Sequence, residues 1–243
     1  MKTSDCKKLL FAFFLLTTLS FTNYAQLNYV LLTNSQAFEV EAYKDIEGTP
    51  YYFEKWQQGK VASKDAKDKE EQLYLLNFNG YTKNFEVRKD NRFITLDEKF
   101  YDKITVETEE EGVKKTLLFK THVHPIYKNR FMKVVFEGTD FVVLQDFQKR
   151  MIEREKKSYD KGSITVQEFS DNTTYYFVKG KKANAFKLRK KAVMGLFKSH
   201  NGAMKSYVKA HKLKLSKESE LVQIMSYFEQ LNHPKSTLVS NKD

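Results

Sequence analysis

The sequence is poor in cysteine, proline and glycine, and each shortage excludes a class of protein. It holds one cysteine, three prolines and nine glycines in 243 residues. A single cysteine forms neither an internal disulfide nor a thiolate cluster for zinc. So few prolines and glycines exclude a collagen-like or linker-rich chain, and an aromatic content of 14% argues against general disorder. Stability must therefore come from a packed core.

The N-terminus carries the one long apolar run of the sequence. Three lysines precede eleven uncharged residues, 9–19 (LLFAFFLLTTL), and a short polar stretch then ends at Ala25. This order is typical of a secretory signal peptide, because a membrane-spanning helix needs about 18 or more apolar residues. We therefore predict a signal peptide at 1–25, cleavage before Gln26, and no transmembrane helix in the exported chain.

Removal of the signal peptide would leave a chain without cysteine, since Cys6 precedes the apolar run. Cysteine nucleophiles and thiolate metal sites are then excluded together. A lipid-bearing cysteine would have to follow the run, so that route of membrane attachment is excluded as well.

The pattern of residues 26–185 predicts short β-strands joined by tight turns. Asn79-Gly80 and residues 138–140 (GTD) supply turn signals between segments rich in β-branched and aromatic residues. Such strands indicate antiparallel pairing in a curved sheet, a barrel or a sandwich. The predicted strands are 72–78, 84–88, 92–96, 104–107, 117–121, 131–137, 141–145, 164–169 and 174–178, the last two as a pair.

Three charged stretches of this region interrupt the pattern. Residues 60–71 (KVASKDAKDKEE) are predicted to be a loop, and residues 107–111 (ETEEE) a solvated turn. Residues 147–160 fit either a charged strand or a short helix, because Phe147 and Met151 also match helical spacing.

The apolar spacing becomes helical after Leu188 and predicts three short helices. Asn201-Gly202 is expected to close the first helix, and Ser216 to begin the third. Short amphipathic helices cannot bury their apolar faces alone, so we expect them to pack partly on the β-rich body. The predicted faces are Val193, Phe197 and His200; Met204, Val208 and His211; and Leu221, Ile224, Met225, Phe228 and Leu231.

The predicted fold class is therefore α+β, an antiparallel β-rich body followed by about three short C-terminal helices. Its parts are the signal peptide, a β-rich domain at 26–185, a basic helical segment at 186–233 packed on or beside that domain, and a tail at 234–243.

The positive charge of the chain is concentrated near its C-terminus. The net charge is +11, and residues 186–243 contribute +8 of it. Basic amphipathic helices favour an anionic membrane surface, whereas an ordinary solvated lysine face is the alternative interpretation. Export argues against nucleic acid, so the expected partner is an anionic envelope surface or another envelope protein. The candidate surface residues are Arg189, Lys190, Lys191, Lys205, Lys209 and Lys212, the last three as a stripe on the second helix.

Motifs for catalysis or cofactor binding are scarce. The sequence lacks glycine-rich phosphate loops, HExxH and GxSxG, so we expect no cofactor. His122 and His124 alone have ligand-like spacing, since residues i and i+2 of a strand share a face. No third ligand is identifiable, so we predict a solvent-facing pair and no metal site. A metal-dependent or carboxylate hydrolase centred near these histidines is the competing hypothesis.

Three tracts of the chain resemble an uncharacterised family of secreted bacterial proteins found in flavobacterium-like Gram-negative bacteria. They are residues 48–61 (GTPYYFEKWQQGKV), 73–96 (LYLLNFNGYTKNFEVRKDNRFITL) and the lysine-rich tract 186–232. The resemblance implies export to the periplasm or cell exterior, a β-rich body and a basic helical tail, and it brings no catalytic or cofactor residues. We therefore expect a non-enzymatic envelope protein that binds or scaffolds, with weak anionic-surface contact.

Overall fold

Antiparallel β-structure makes up most of the described chain. A computed structural model describes residues 35–39, 43–64, 72–89, 92–110, 112–158, 160 and 162–233. The predicted signal peptide and the predicted tail lie outside these ranges. Within them, no helix combines the length and the apolar character that crossing a bilayer requires.

The described elements are thirteen strands, three α-helices and one 3₁₀ turn. The strands are β1 (Ser35–Glu39), β2 (Gln57–Ser63), β3 (Gln72–Asn79), β4 (Asn84–Lys89), β5 (Arg92–Leu96), β6 (Tyr101–Glu110), β7 (Val113–Lys120), β8 (Met132–Glu137), β9 (Val142–Asp146), β10 (Lys149–Ser158), β11 (Gly162–Asp171), β12 (Thr174–Lys179) and β13 (Lys182–Phe186). The helices are α1 (Lys190–Met194), α2 (Asn201–Ala210) and α3 (Glu218–Asn232), and the 3₁₀ turn is Lys198–His200.

Eleven of the described strands form one sheet, and β10 and β11 form a separate hairpin. The order across the sheet is β1-β5-β4-β3-β2-β6-β7-β8-β9-β12-β13. Neighbouring strands of this sheet pair antiparallel wherever their register is defined. The predicted fold class, an antiparallel body followed by three short helices, is confirmed.

Several details of the strand prediction are wrong. The predicted pairing of 164–169 with 174–178 does not form, because β11 pairs with β10 and β12 pairs with β9 and β13. The start of the predicted loop 60–71 belongs to β2. Of the two alternatives for 147–160, the charged strand is confirmed, because most of the stretch forms β10.

The predicted turn at 107–111 is mostly strand. β6 extends to Glu110, and Glu109 near its end lies opposite Lys114 of β7. Opposite charges directly across an antiparallel pair stabilise the ladder. The charge run therefore continues the strand instead of ending it.

The two ends of the sheet differ in their connections. At one end, tight hairpins join β6 to β7, β8 to β9 and β12 to β13. We call this the hairpin end. At the other, β7 finishes at Lys120 beside Met132 of β8, and β9 finishes at Asp146 beside Thr174 of β12. We call this the loop end, because residues 121–131 connect β7 to β8 there.

All three helices pack on one face of the sheet. Cross-strand partners share a face, so the partners Lys133, Gln145 and Tyr175 define this helical face. α3 runs along β8. Glu218 contacts Lys133 near the start of β8, and Glu229 accepts a hydrogen bond from Thr139 just beyond the end of β8. Together the helices and strands bury one apolar cluster, which includes Phe141, Val143, Phe177, Val193, Phe197, Met204, Val208, Leu221, Ile224, Met225 and Phe228.

The helix boundaries depart from the predicted ones in the first helix. α1 has only five residues and ends before Gly195, a residue of low helix propensity. Asn201-Gly202 begins α2 and does not close the preceding helix as predicted. His211 follows the end of α2 and is exposed, although Met204 and Val208 are buried as expected.

Candidate functional site

The two histidines with ligand-like spacing lie in the loop 121–131 and not on a strand. β7 ends at Lys120, and His122 has a left-handed φ of 61°. His122 is exposed and its Nδ1 lies 2.8 Å from Oγ1 of Thr121, whereas His124 is only 2% exposed. The strand placement that would put both imidazoles on one face is therefore wrong, and so is the prediction that both face solvent.

His124 is held by the backbone of its own loop. Its Nδ1 accepts hydrogen bonds from the N–H of Ile126 at 3.2 Å and of Tyr127 at 3.1 Å. Because Nδ1 accepts, the proton of a neutral ring lies on Nε2. The ring stacks on Tyr127 at 4.8 Å and meets the edge or face of Tyr176 at 4.5 Å. Burial lowers the pKa of His124, and the nearby charge of Asp146 opposes this only in part.

Asp146, at the end of β9, anchors the same loop from the sheet. Its Oδ2 accepts hydrogen bonds from Arg130 Nη1 and Gln148 Nε2, each at 2.6 Å. The guanidinium of Arg130 also lies over the Tyr127 ring, 4.4 Å from its centroid. Asp146 Oδ1 and His124 Nε2 are both buried without a hydrogen-bond partner among the described residues.

This cluster is better suited to holding a loop than to catalysis. A histidine acts as a general base through an unprotonated ring nitrogen within reach of its substrate. In His124 that nitrogen, Nδ1, already accepts two backbone hydrogen bonds and is buried. The described residues also contain no group of three or more His, Cys, Asp or Glu side chains that could hold a metal ion.

Sequence reasoning missed Arg130 and Asp146, which do most to fix the loop. Asp146 ends the apolar run of β9 (VVLQD) and is fully buried. A buried carboxylate requires a charged or hydrogen-bonding partner, and Arg130 supplies the positive charge. A carboxylate that ends an apolar strand was the available signal, although its partner lies 16 residues away in the sequence.

The predicted surface cations are exposed, as the sequence indicated. Arg189 precedes α1, Lys190 and Lys191 begin it, and all three are exposed. Lys205 and Lys209 lie exposed on α2. Lys212 is exposed too, but it follows the end of α2 with a φ of 52°, so the three-lysine stripe does not continue along a helix.

The cations belong to a longer acid-free tract, residues 186–217, which we call the basic segment. It contains ten lysine and arginine residues and no aspartate or glutamate. None of the ten forms an ion pair with another residue in the described part of the chain. Its positive charge is therefore not neutralised by the fold that the structure describes.

Packing brings both ends of the basic segment to the loop end of the sheet. Its first residues follow β13, and Lys187 Nζ donates to the carbonyl oxygen of Thr173, just before β12. α2 packs against α3, since Tyr207 stacks on Tyr227 at 4.0 Å, and His200 just before α2 packs on Phe228. The last residues of the segment lead into α3, whose start lies at the loop end because Glu218 contacts Lys133 of β8.

A buried ion pair fastens the start of α3 to the sheet. Lys133 Nζ lies 2.6 Å from Glu218 Oε1 and donates to the hydroxyl of Tyr52, also at 2.6 Å. The hydroxyl of Tyr175 lies 3.4 Å from Glu218 and accepts from Gln145. Burial, followed by the charge of Glu218, raises the pKa of Tyr175 to about 12. The network positions the end of the basic segment.

Glu86 on β4 is a further buried carboxyl, on the other face of the sheet. It accepts hydrogen bonds from the Tyr51 hydroxyl and from Asn79 Nδ2, each at 2.7 Å. Burial raises the pKa of Glu86, while these two hydrogen bonds oppose the shift. Asn79 also donates to Tyr43, so the group ties the segment before β2 to β3 and β4.

Comparison with known proteins adds no assignment to these features. No protein-family model matches the chain, and neither a curated protein nor a solved structure matches it. The exposed cations of the basic segment and the loop held by His124, Arg130 and Asp146 are the features from which a function is inferred.

Proposed function

We propose that this chain is an exported, non-enzymatic protein of the Gram-negative cell envelope that binds or scaffolds, and that its basic segment contacts an anionic surface. One observation carries the proposal. Residues 186–217 contain ten lysine and arginine residues and no acidic residue, and none of the ten forms an ion pair with a described residue. An uncompensated charge of one sign creates a local field that attracts the opposite charge.

The contact is expected to be weak and sensitive to salt. A lysine or arginine near an anionic membrane contributes about 1 kcal/mol. At physiological ionic strength the Debye length is about 8 Å, so cations that are not close to the surface are largely screened. Residues 26–185 carry a net charge of only +1, which leaves the basic segment as the main source of attraction.

The alternative function is a metal-dependent or carboxylate hydrolase centred near His122 and His124. The geometry favours binding over hydrolysis, because the acceptor nitrogen of His124 is occupied and His122 lies apart on the surface. Asp146, the buried carboxylate of this cluster, already accepts from Arg130 and Gln148.

Charge reversal in the basic segment tests the proposal. The exported chain should bind vesicles of phosphatidylglycerol and phosphatidylcholine at low salt and release as salt rises. Changing Lys205, Lys209 and Lys212 to glutamate should weaken binding at least about tenfold, because three favourable contacts become repulsive. Vesicle sedimentation measures the bound fraction.

A control variant carries the same change in net charge elsewhere. Lys114, Lys157 and Lys181 are exposed and belong to hairpins outside the basic segment. Their replacement by glutamate should weaken binding much less. Equal losses in the two triple variants would mean that net charge alone drives binding. A parent chain that does not bind anionic vesicles at low salt would contradict the proposal.

A further inference from the structure

The loop end of the sheet carries an exposed apolar residue in a basic setting. Ile126 is 77% exposed, the highest value among the exposed large hydrophobic side chains of the described chain, and Tyr127 beside it is exposed as well. Lys128 follows and is exposed too. We propose that the loop end docks onto an anionic lipid membrane and that Ile126 inserts between the lipid headgroups. This inference rests on the proposed function and names the surface and its contact residue.

The position of Ile126 is set by the buried cluster beneath it. Its N–H donates to His124 Nδ1, and so does the N–H of Tyr127. Arg130 closes the loop by binding Asp146 at 2.6 Å while it covers the Tyr127 ring. An apolar tip that is already ordered loses little conformational entropy on insertion. This arrangement gives the cluster a function as the support of the tip.

Cations from separate parts of the chain lie at the same end of the sheet, while loop 121–131 packs on Tyr176, on the face opposite the helices. Lys187 and Arg189 follow the last residue of β13, and Lys187 is placed by its hydrogen bond to Thr173. Lys214 and Lys217 precede α3, where Glu220 accepts hydrogen bonds from the backbone N–H groups of both residues. All four of these cations are exposed.

Three acidic side chains at this end are paired with cations, whereas Glu220 binds backbone N–H groups and Asp102, beside Thr121, forms no ion pair among the described residues. Glu218 contacts Lys133, Asp146 contacts Arg130, and Asp171 lies 2.7 Å from Lys149. The five exposed lysine and arginine residues named for this end outnumber the two carboxylates without an ion pair, so they determine the sign of the potential there. The surface is therefore complementary to an anionic partner.

The combination of residues favours lipid over other anions. Interfacial anchors place an aliphatic side chain and an aromatic ring in the headgroup region, with lysine and arginine beside the phosphates. A nucleic acid or an acidic protein would be attracted by the same cations but would gain little from a solitary exposed isoleucine. Ile126 is thus the residue that distinguishes a membrane from these partners.

Replacing Ile126 by serine tests insertion in the exported chain. We expect roughly ten- to hundredfold weaker binding to phosphatidylglycerol-containing vesicles, because burial of the isoleucine side chain is lost. Val113→Ser is the matched control: Val113 is 58% exposed at the hairpin end, so its replacement should leave binding unchanged. Binding to heparin, an anion without an apolar layer, should be the same for parent and Ile126→Ser.

The outcomes separate this inference from the proposed function. If the parent binds in a salt-sensitive manner and Ile126→Ser binds equally well, insertion is wrong while anionic contact stands. If Val113→Ser loses as much binding as Ile126→Ser, the loop end is not the docking face. Loss of heparin binding in Ile126→Ser would show that the residue acts through the fold or the charges, which also overturns insertion. A parent that binds no anionic vesicle overturns both proposals.

Discussion

Replacing Phe228 by alanine should lower the free energy of unfolding by about 3–5 kcal/mol, the cost of deleting a buried phenylalanine from a core. Phe228 is the centre of the contact between the helices and the sheet. Its ring lies 5.6 Å from Phe141 of the sheet side and 4.9 Å from Phe197 of the helical side. In a unit of this size the melting temperature should fall by about 10 °C, as measured by circular dichroism.

Val222 provides the control on the same helix, since it faces solvent. Val222→Ala should change stability by no more than about 0.5 kcal/mol. A similar loss in both variants would mean that the loss in Phe228→Ala does not come from core packing, since alanine has a higher helix propensity than phenylalanine or valine. An unchanged melting temperature for Phe228→Ala would contradict the placement of α3 on the sheet.

Replacing Glu218 by alanine should cost about 3 kcal/mol, because it strands the charge of Lys133 in a buried position. Lys133 is buried, whereas Glu218 is 31% exposed. The neutral hydroxyl of Tyr52 then remains as the partner of the ammonium group. Chemical denaturation should detect the loss as a lower midpoint.

A double variant isolates the stranded charge from the loss of a contact. Adding Lys133→Met to Glu218→Ala removes the buried charge and should recover most of the lost stability. If instead the two changes destabilise additively, the ion pair is a solvated contact and does not fasten α3. In that case the ion pair would also not fix the position of Lys214 and Lys217, which precede α3.

The general fold is predictable because most strands carry their own local pattern. Residues 72–78 and 84–88 are apolar or aromatic at alternating positions and are joined by an Asn-Gly turn, and they form β3 and β4. β2 and β13 escaped prediction because QQGKVAS and KANAF are polar or small. Their strand structure depends on partners, β3 and β6 for one and β12 for the other.

The site is less predictable, because tertiary contacts decide it. Spacing alone placed His122 and His124 on one face, but the left-handed backbone at His122 turns the two rings to different surroundings. The exposure of the basic residues followed from composition and periodicity. The position of residues 214–217 at the loop end depends on the contact of Glu218 with Lys133, which no local pattern of the sequence reveals.

The central claim, that the loop end faces an anionic membrane, can be measured directly with a single fluorescent probe. Cys6 is the only cysteine and lies in the predicted signal peptide, so one introduced cysteine can be labelled selectively in the exported chain. A polarity-sensitive dye at Ile126→Cys should shift to the blue with phosphatidylglycerol vesicles at low salt, while the same dye at Val113→Cys should not. Equal shifts at both positions, or a shift at Val113→Cys alone, would contradict the account.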